Sequence, residues 1–300
     1  MSDLSLSGCG TALATPFTAG GAVDENALRA LVDWQIDEGI DFLVPCGSTG
    51  EAQTLDDAER IRVVQLTVQA ARGRMPVVAG ATHNDTRRAV EDTRRMCDAG
   101  ADYILSACPY YNKPTQGGLL RHFEAVADAS DRPVVLYNVP GRSGVNMLPA
   151  TVAALARHER IVALKEASGD MHQALEVLRV RPAGFSVLAG DDWMALPLVA
   201  SGGDGVISVA SNEIPGPMAR LVRHALAGEH AEAQHLLREL LPLLDANFIE
   251  PNPIPVKGAL ALMGRIRNVL RLPLVPAAPA TLERLGAELA RLGISVRPHD

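Results

Sequence analysis

The sequence predicts an α/β protein, a (β/α)8 TIM barrel with a C-terminal helical extension. Three observations predict it. Eight short apolar runs recur along the first three quarters of the 300 residues, and each is followed by an amphipathic stretch. That alternation demands parallel pairing through right-handed crossovers, and eight such units are what a closed barrel needs. No Gly-rich fingerprint follows the first run, where Thr11-Ala12-Leu13-Ala14-Thr15-Pro16-Phe17 stands, so a doubly wound open sheet is the second reading.

The first strand is expected over residues 10–14 and its helix over 25–38, opened by Asp24 and stopped at Gly39. The second pair spans 42–46 and 56–71. Thr54-Leu55-Asp56-Asp57 resembles a capping box there, and Gly73 marks the stop. The third pair spans 76–79 and 85–99, ending at Gly100. The fourth spans 103–107 and 117–129, and the fifth 134–137 and 149–157. The sixth spans 161–165 and 170–179, and the seventh 186–189 and 192–200. The eighth spans 205–208 and 214–227, closed by Gly228. No strand signal returns after residue 229; residues 230–247, 254–263 and 279–292 read as helices with proline-rich joints. The expected division is a catalytic barrel over 1–228 and a helical extension packed on it over 229–300.

Apolar residues make up 47% of the chain and charged residues 21%, the balance of a soluble globular protein. A formal net charge of −7 with no basic patch argues against a nucleic-acid partner. No apolar run approaches the ~18–20 residues that span a bilayer, so no membrane role is expected. Cys9, Cys46, Cys97 and Cys108 are scattered without a CxxC pair. In a chain this long they read as free buried thiols in a reducing cytoplasm. No HExxH or clustered His/Cys/Asp set suggests a metal, and no cofactor is expected.

The barrel fold places chemistry at the carboxyl ends of the strands. The sixth run, Ile161-Val162-Ala163-Leu164, leads straight into Lys165. An ammonium at the end of a buried strand loses hydration, so its pKa should fall, and a neutral amine can attack a ketone to form a Schiff base. A lysine paired with a carboxylate is the competing reading. Lysine is scarce here: Lys113, Lys165 and Lys257 are the only three, and arginine carries the remaining positive charge but cannot do this amine chemistry. Gly47-Ser48-Thr49-Gly50-Glu51 follows the second strand, where its hydroxyls and N–H groups suit a carboxylate, although a plain turn would look the same. Pro109-Tyr110-Tyr111-Asn112 follows the fourth, and tyrosines there are as readily packing residues. The fifth ends in Tyr137, with Arg142 five residues on, where a guanidinium can grip a carboxylate at two points. Gly190 and Ile207 end the last two strands and would leave room beside the amine. Each signal alone is modest. Together they supply an amine, a proton relay and a carboxylate grip on one face of the barrel.

Those motifs, with Lys165-Glu166-Ala167, Gly190-Asp191-Asp192, Gly205-Val206-Ile207-Ser208 and Glu250-Pro251-Asn252-Pro253-Ile254-Pro255-Val256-Lys257, resemble the dihydrodipicolinate synthase (4-hydroxy-tetrahydrodipicolinate synthase) family, in order over nearly the full chain. The resemblance implies a Schiff base between Lys165 and pyruvate. It implies a proton relay of Tyr137, Ser48 and Tyr111, with Tyr111 reaching in from a neighbouring subunit. Thr49 would hold the pyruvate carboxylate, and Arg142 the carboxylate of L-aspartate 4-semialdehyde. The product would feed diaminopimelate and lysine synthesis, and the assembly would be a homotetramer, a dimer of dimers. Ser48 stands where the synthases usually carry threonine, as it does in sialic-acid lyases of the same superfamily. Arg142 separates this chain from those lyases and from other pyruvate-dependent aldolases. A catalytically idle scaffold barrel would lack Lys165, Tyr137 or Arg142. At the positions matching the family's lysine-feedback site stand Ala52, Gln53, Asp57, Arg60, Asn84, Arg88 and Tyr110, of which Asn84 and Tyr110 fit. Arg88 replaces the glutamate that would pair with the effector's ammonium, so weak or absent inhibition by lysine is expected.

Overall fold

Aliphatic runs that stay uncharged until their ends form eight parallel strands, and the stretches between them form the helices that cover the ring. The computed structural model describes residues 5–297. The strands are β1 (Gly8–Ala12), β2 (Phe42–Val44), β3 (Val78–Gly80), β4 (Tyr103–Ala107), β5 (Val134–Asn138), β6 (Ile161–Glu166), β7 (Ser186–Ala189) and β8 (Gly205–Ser208). The barrel helices are α1 (Glu25–Asp37), α2 (Asp57–Ala71), α3 (Thr86–Asp98), α4 (Gln116–Ala129), α5 (Pro140–Ser143), α6 (Pro149–Leu155), α7 (Met171–Val180), α8 (Ala195–Ala200) and α9 (Pro215–Leu226). Then come α10 (His230–Ala246), α11 (Ile254–Leu262) and α12 (Pro279–Arg291).

The strand order runs β2-β1-β8-β7-β6-β5-β4-β3, all parallel. A parallel bridge between Leu43 and Val77, and the Gly80 N–H donated to Pro45 O at 3.0 Å, close the ring between β2 and β3. The TIM barrel is as expected; its element boundaries shift by a few residues. β1 starts two residues early, at Gly8 opposite Gly205, and ends early because the Ala14 N–H goes to the Asn212 side chain at 2.9 Å. β2 ends at Val44 because Pro45 has no N–H to offer. The α2 cap is Asp56 paired reciprocally with Glu59, so the box begins two residues later than Thr54. The stretch 192–200 splits into a short 3-10 turn and α8. Asp24 caps α1 as expected, and Gly39, Gly73, Gly100 and Gly228 take positive φ after their helices.

Side chains alternate across each strand, so every second residue points into the ring. Ala12, Phe42, Val44, Leu105, Val135, Ala163, Leu188 and Ile207 fill it as one small apolar cluster. The larger core lies outside the ring, under the helices. Leu240 and Leu244 of α10, Leu260 of α11 and Leu285 and Leu289 of α12 belong to that same core, so the extension shares the barrel's apolar interior. Among the described residues no helix is long and apolar enough to cross a membrane.

Candidate active site

The inward series on β6 is Ala163 then Lys165, and on β5 it is Val135 then Tyr137. The strand register sets Lys165 directly opposite Tyr137 on one side and Leu188 on the other. Lys165 and Tyr137 are therefore the top layer of the barrel filling. β6 runs one residue further than the apolar pattern suggested, to Glu166. That carboxylate points the other way and accepts from the Ser168 N–H at 2.7 Å and the Asn138 amide at 3.2 Å. It locks the end of β6 against β5, which fixes the stem from which Lys165 projects.

Lys165 is 5% exposed, and its Nζ lies 4.4 Å from the centroid of the Tyr137 ring. Among the described residues that Nζ has no hydrogen bond and no ion pair. Burial pulls its pKa from 10.5 to about 8, with Asp191 and Asp192 pushing part of the way back. Burial pushes the Tyr137 phenol up to about 12, against the nearby Arg142 charge and a contact with the Ser48 side chain. At neutral pH Tyr137 is thus a protonated phenol, able to hold or pass a proton. Lys165 keeps an accessible neutral form.

Thr49, Lys165, Gly190, Asp191, Arg142 and Val209 are among the walls of a chamber of about 60 Å³. A Cβ on Gly190 would lie 2.4 Å from Ala167 Cβ, so only glycine keeps this wall. Ile207 sits fully buried in the same inner cluster as Tyr137, and Val209, two residues on, is the wall residue. Ser48, Tyr137, Val139 and Arg142 also line an outer cleft of about 430 Å³ that extends to Gln53, Arg60, His83 and Tyr110. Arg142 projects from the one-turn α5, not from an open loop, and its Nη2 donates to Asn252 O at 3.0 Å. The Thr49 hydroxyl accepts from Asn252 Nδ2 at 2.9 Å.

Tyr111 stays outside both cavities of its own chain. It is 88% exposed, and its backbone takes φ +73° with the N–H donated to Ser143 O at 3.3 Å. Cys46 and Glu51 also carry positive φ, so among the described residues three of the five non-glycine positions in that region flank the site.

The loop that holds Ser48 and Thr49 is clamped from behind, an arrangement the sequence pattern does not reveal. Glu51 is completely buried and accepts from Lys257 Nζ of α11 at 2.5 Å and from the Arg271 N–H at 3.0 Å. Arg271 in turn pairs with Glu59 on α2. The run Glu250–Lys257 carried the only hint of this, as a proline-rich segment with a lysine at its end. The four cysteines are free and buried. Among the described residues no group of three or more His, Cys, Asp or Glu is placed to hold a metal ion.

A desolvated lysine beside a neutral phenol, at the carboxyl ends of barrel strands, is the equipment of enzymes that work on carbonyl compounds through an amine. The chain belongs to the dihydrodipicolinate synthetase family, whose model matches residues 5–292. It is 52% identical over 289 residues to the 4-hydroxy-tetrahydrodipicolinate synthase of Koribacter versatilis, covering 95% of this chain and 96% of that one. It is 53% identical over 294 residues to the enzyme of the same name from Acidobacterium capsulatum, covering 96% and 97%. Among solved structures it superposes on the chloride-inhibited dihydrodipicolinate synthase of Acinetobacter baumannii complexed with pyruvate. That match has a TM-score of 0.95 at 40% identity and covers 97% of this chain and 100% of that one.

Proposed function

We propose that this chain condenses pyruvate with L-aspartate 4-semialdehyde to give 4-hydroxy-tetrahydrodipicolinate, the reaction that feeds diaminopimelate and lysine synthesis. The observation that carries the reading is the unpaired, buried Lys165 Nζ 4.4 Å from the Tyr137 ring, in a chain half identical to synthases of that name. The neutral Lys165 amine adds to C2 of pyruvate, and loss of water leaves an imine. A C3 proton departs through the Tyr137 phenol, giving an enamine. Its C3 attacks the aldehyde carbon of the second substrate, whose oxygen takes a proton from the relay. The amine of that substrate then attacks C2, displaces Lys165 and closes the ring. Thr49 holds the pyruvate carboxylate, and Arg142 takes the carboxylate of the semialdehyde. Gly190 lines the space around the imine, and Ile207 supports it from the inner apolar cluster.

Ser48 continues the relay from Tyr137 toward solvent, and Tyr111 of a neighbouring subunit completes it. The strained, exposed Tyr111 supports that reading, because a side chain unused in its own chain gains a role across an interface. The assembly is then a homotetramer, a dimer of dimers. Mixing Tyr111→Phe with Tyr137→Phe subunits should restore activity through hybrid sites, and unchanged inactivity would remove Tyr111 from the relay. The barrel over 1–228 supplies the chemistry and the extension over 229–300 supports it. Four unpaired buried thiols suit a cytoplasmic enzyme. The cleft beside the site presents Arg60 and Gln53 and no carboxylate, which supports weak or absent inhibition by lysine. Strong inhibition at low lysine concentration would contradict this.

The direct test is turnover of pyruvate with aspartate semialdehyde, coupled to the reductase that consumes the product. Activity is expected with this pair, and cleavage of sugar acids or 4-hydroxy-2-oxoglutarate in its place would overturn the assignment.

A further inference from the structure

One residue of the C-terminal extension touches both carboxylate-binding groups, and it does so with two different parts of itself. The Asn252 side-chain amide donates to Thr49 Oγ1 at 2.9 Å. Its backbone carbonyl accepts from Arg142 Nη2 at 3.0 Å. Asn252 is 6% exposed, lies on the wall of the chamber that contains Lys165, and has a side-chain oxygen with no partner. The extension is held in place independently of it, by the buried Glu51–Lys257 pair.

A threonine hydroxyl has one proton and two lone pairs. With one lone pair occupied by the Asn252 amide, the single Thr49 proton remains for an acceptor in the chamber. We propose that Asn252 is a positioning residue for pyruvate: it holds Thr49 as an acceptor so that the Thr49 hydroxyl donates to the substrate carboxylate. The assignment rests on the pyruvate reading given above and deepens it. It also makes an asymmetric demand. Replacing the side chain cuts the link to Thr49 and leaves the backbone carbonyl under Arg142 intact.

The test is the steady-state behaviour of Asn252→Ala and Asn252→Asp with each substrate varied in turn. Asn252→Ala should raise KM for pyruvate roughly 3- to 10-fold, the worth of one hydrogen bond, and leave KM for the semialdehyde within about 2-fold. Asn252→Asp should be worse than Ala for pyruvate, because an aspartate draws the Thr49 proton to itself and sets a negative charge beside the carboxylate. A residue with a merely structural role would show the reverse order, since Asp is the closer isostere. In a Thr49→Val background, Asn252→Ala should add nothing for pyruvate. Equal rises in both KM values, a milder Asp than Ala, or additive effects in the double variant would each overturn the proposal. Reduction of the wild-type protein with borohydride and pyruvate keeps the two levels apart. A Lys165 adduct with an additive cycle removes only the role of Asn252, whereas no adduct removes the pyruvate reading itself.

Discussion

Two of the three lysines are buried, and they are treated in opposite ways. Lys257 is fully buried, 4.2 Å above the Phe17 ring, and is bonded to the Glu51 carboxylate at 2.5 Å. Lys165 is almost as buried, 4.4 Å from the Tyr137 ring, with no carboxylate bonded to it. Burial lowers the pKa of both. In Lys257, Glu51 opposes the shift directly, and the ion pair ties α11 to the loop that carries Ser48 and Thr49. In Lys165 no carboxylate is bonded to hold the proton. On the proposed function, a buried lysine becomes a nucleophile through what is withheld from it. Burial and an aromatic neighbour are common to both.

Exchanging the roles of the two sites should show this, beginning with the largest effect. Lys165→Met should lower turnover by roughly four orders of magnitude or more, since the covalent route is lost. Tyr137→Phe should lower it by roughly two to four orders, the worth of a proton-transfer group. Near-normal turnover in steady-state assays of either variant would break the comparison. Stability should move in opposite directions. Glu51→Gln strands the buried Lys257 charge and should cost about 3–5 kcal/mol in denaturant unfolding. Lys165→Met removes an unpaired buried cation and should stabilise by roughly 1–3 kcal/mol at pH 7, the upper end set by the drop in pKa from 10.5 to about 8. The sign follows from linkage. Because the folded pKa lies below the unfolded one, this cost is present in full below pH 8 and fades as pH rises toward 10.5, so wild-type stability gains on Lys165→Met over that window. Unfolding midpoints of both proteins across pH 7 to 10.5 would show it.

How far the sequence disclosed these two sites differs for a physical reason. Lys165 was legible because its context is local: a run of four apolar residues leads into a charge, and strand alternation then aims it inward. The positions of Tyr137, Ser48, Thr49, Arg142 and Gly190 followed from the same rule that puts the carboxyl ends of barrel strands on one face. Lys257 was not legible, because its partner Glu51 lies 206 residues away and neither neighbourhood announces a pair. Asn252 was hidden likewise: its contact with Thr49 spans 203 residues. Local pattern also misplaced ends. The Pro45 ring and the Asn212 side chain took hydrogen bonds away from β2 and β1, and α5 is too short for periodicity to register.

The central claim is that Lys165 is the amine that meets pyruvate, as a neutral nitrogen. Sodium borohydride added with pyruvate, followed by peptide mass mapping at several pH values, tests it directly. The predicted result is a reduced pyruvyl adduct on Lys165 alone, formed faster as pH rises through about 8. An adduct on Lys113 or Lys257, or no adduct at any pH, would contradict it.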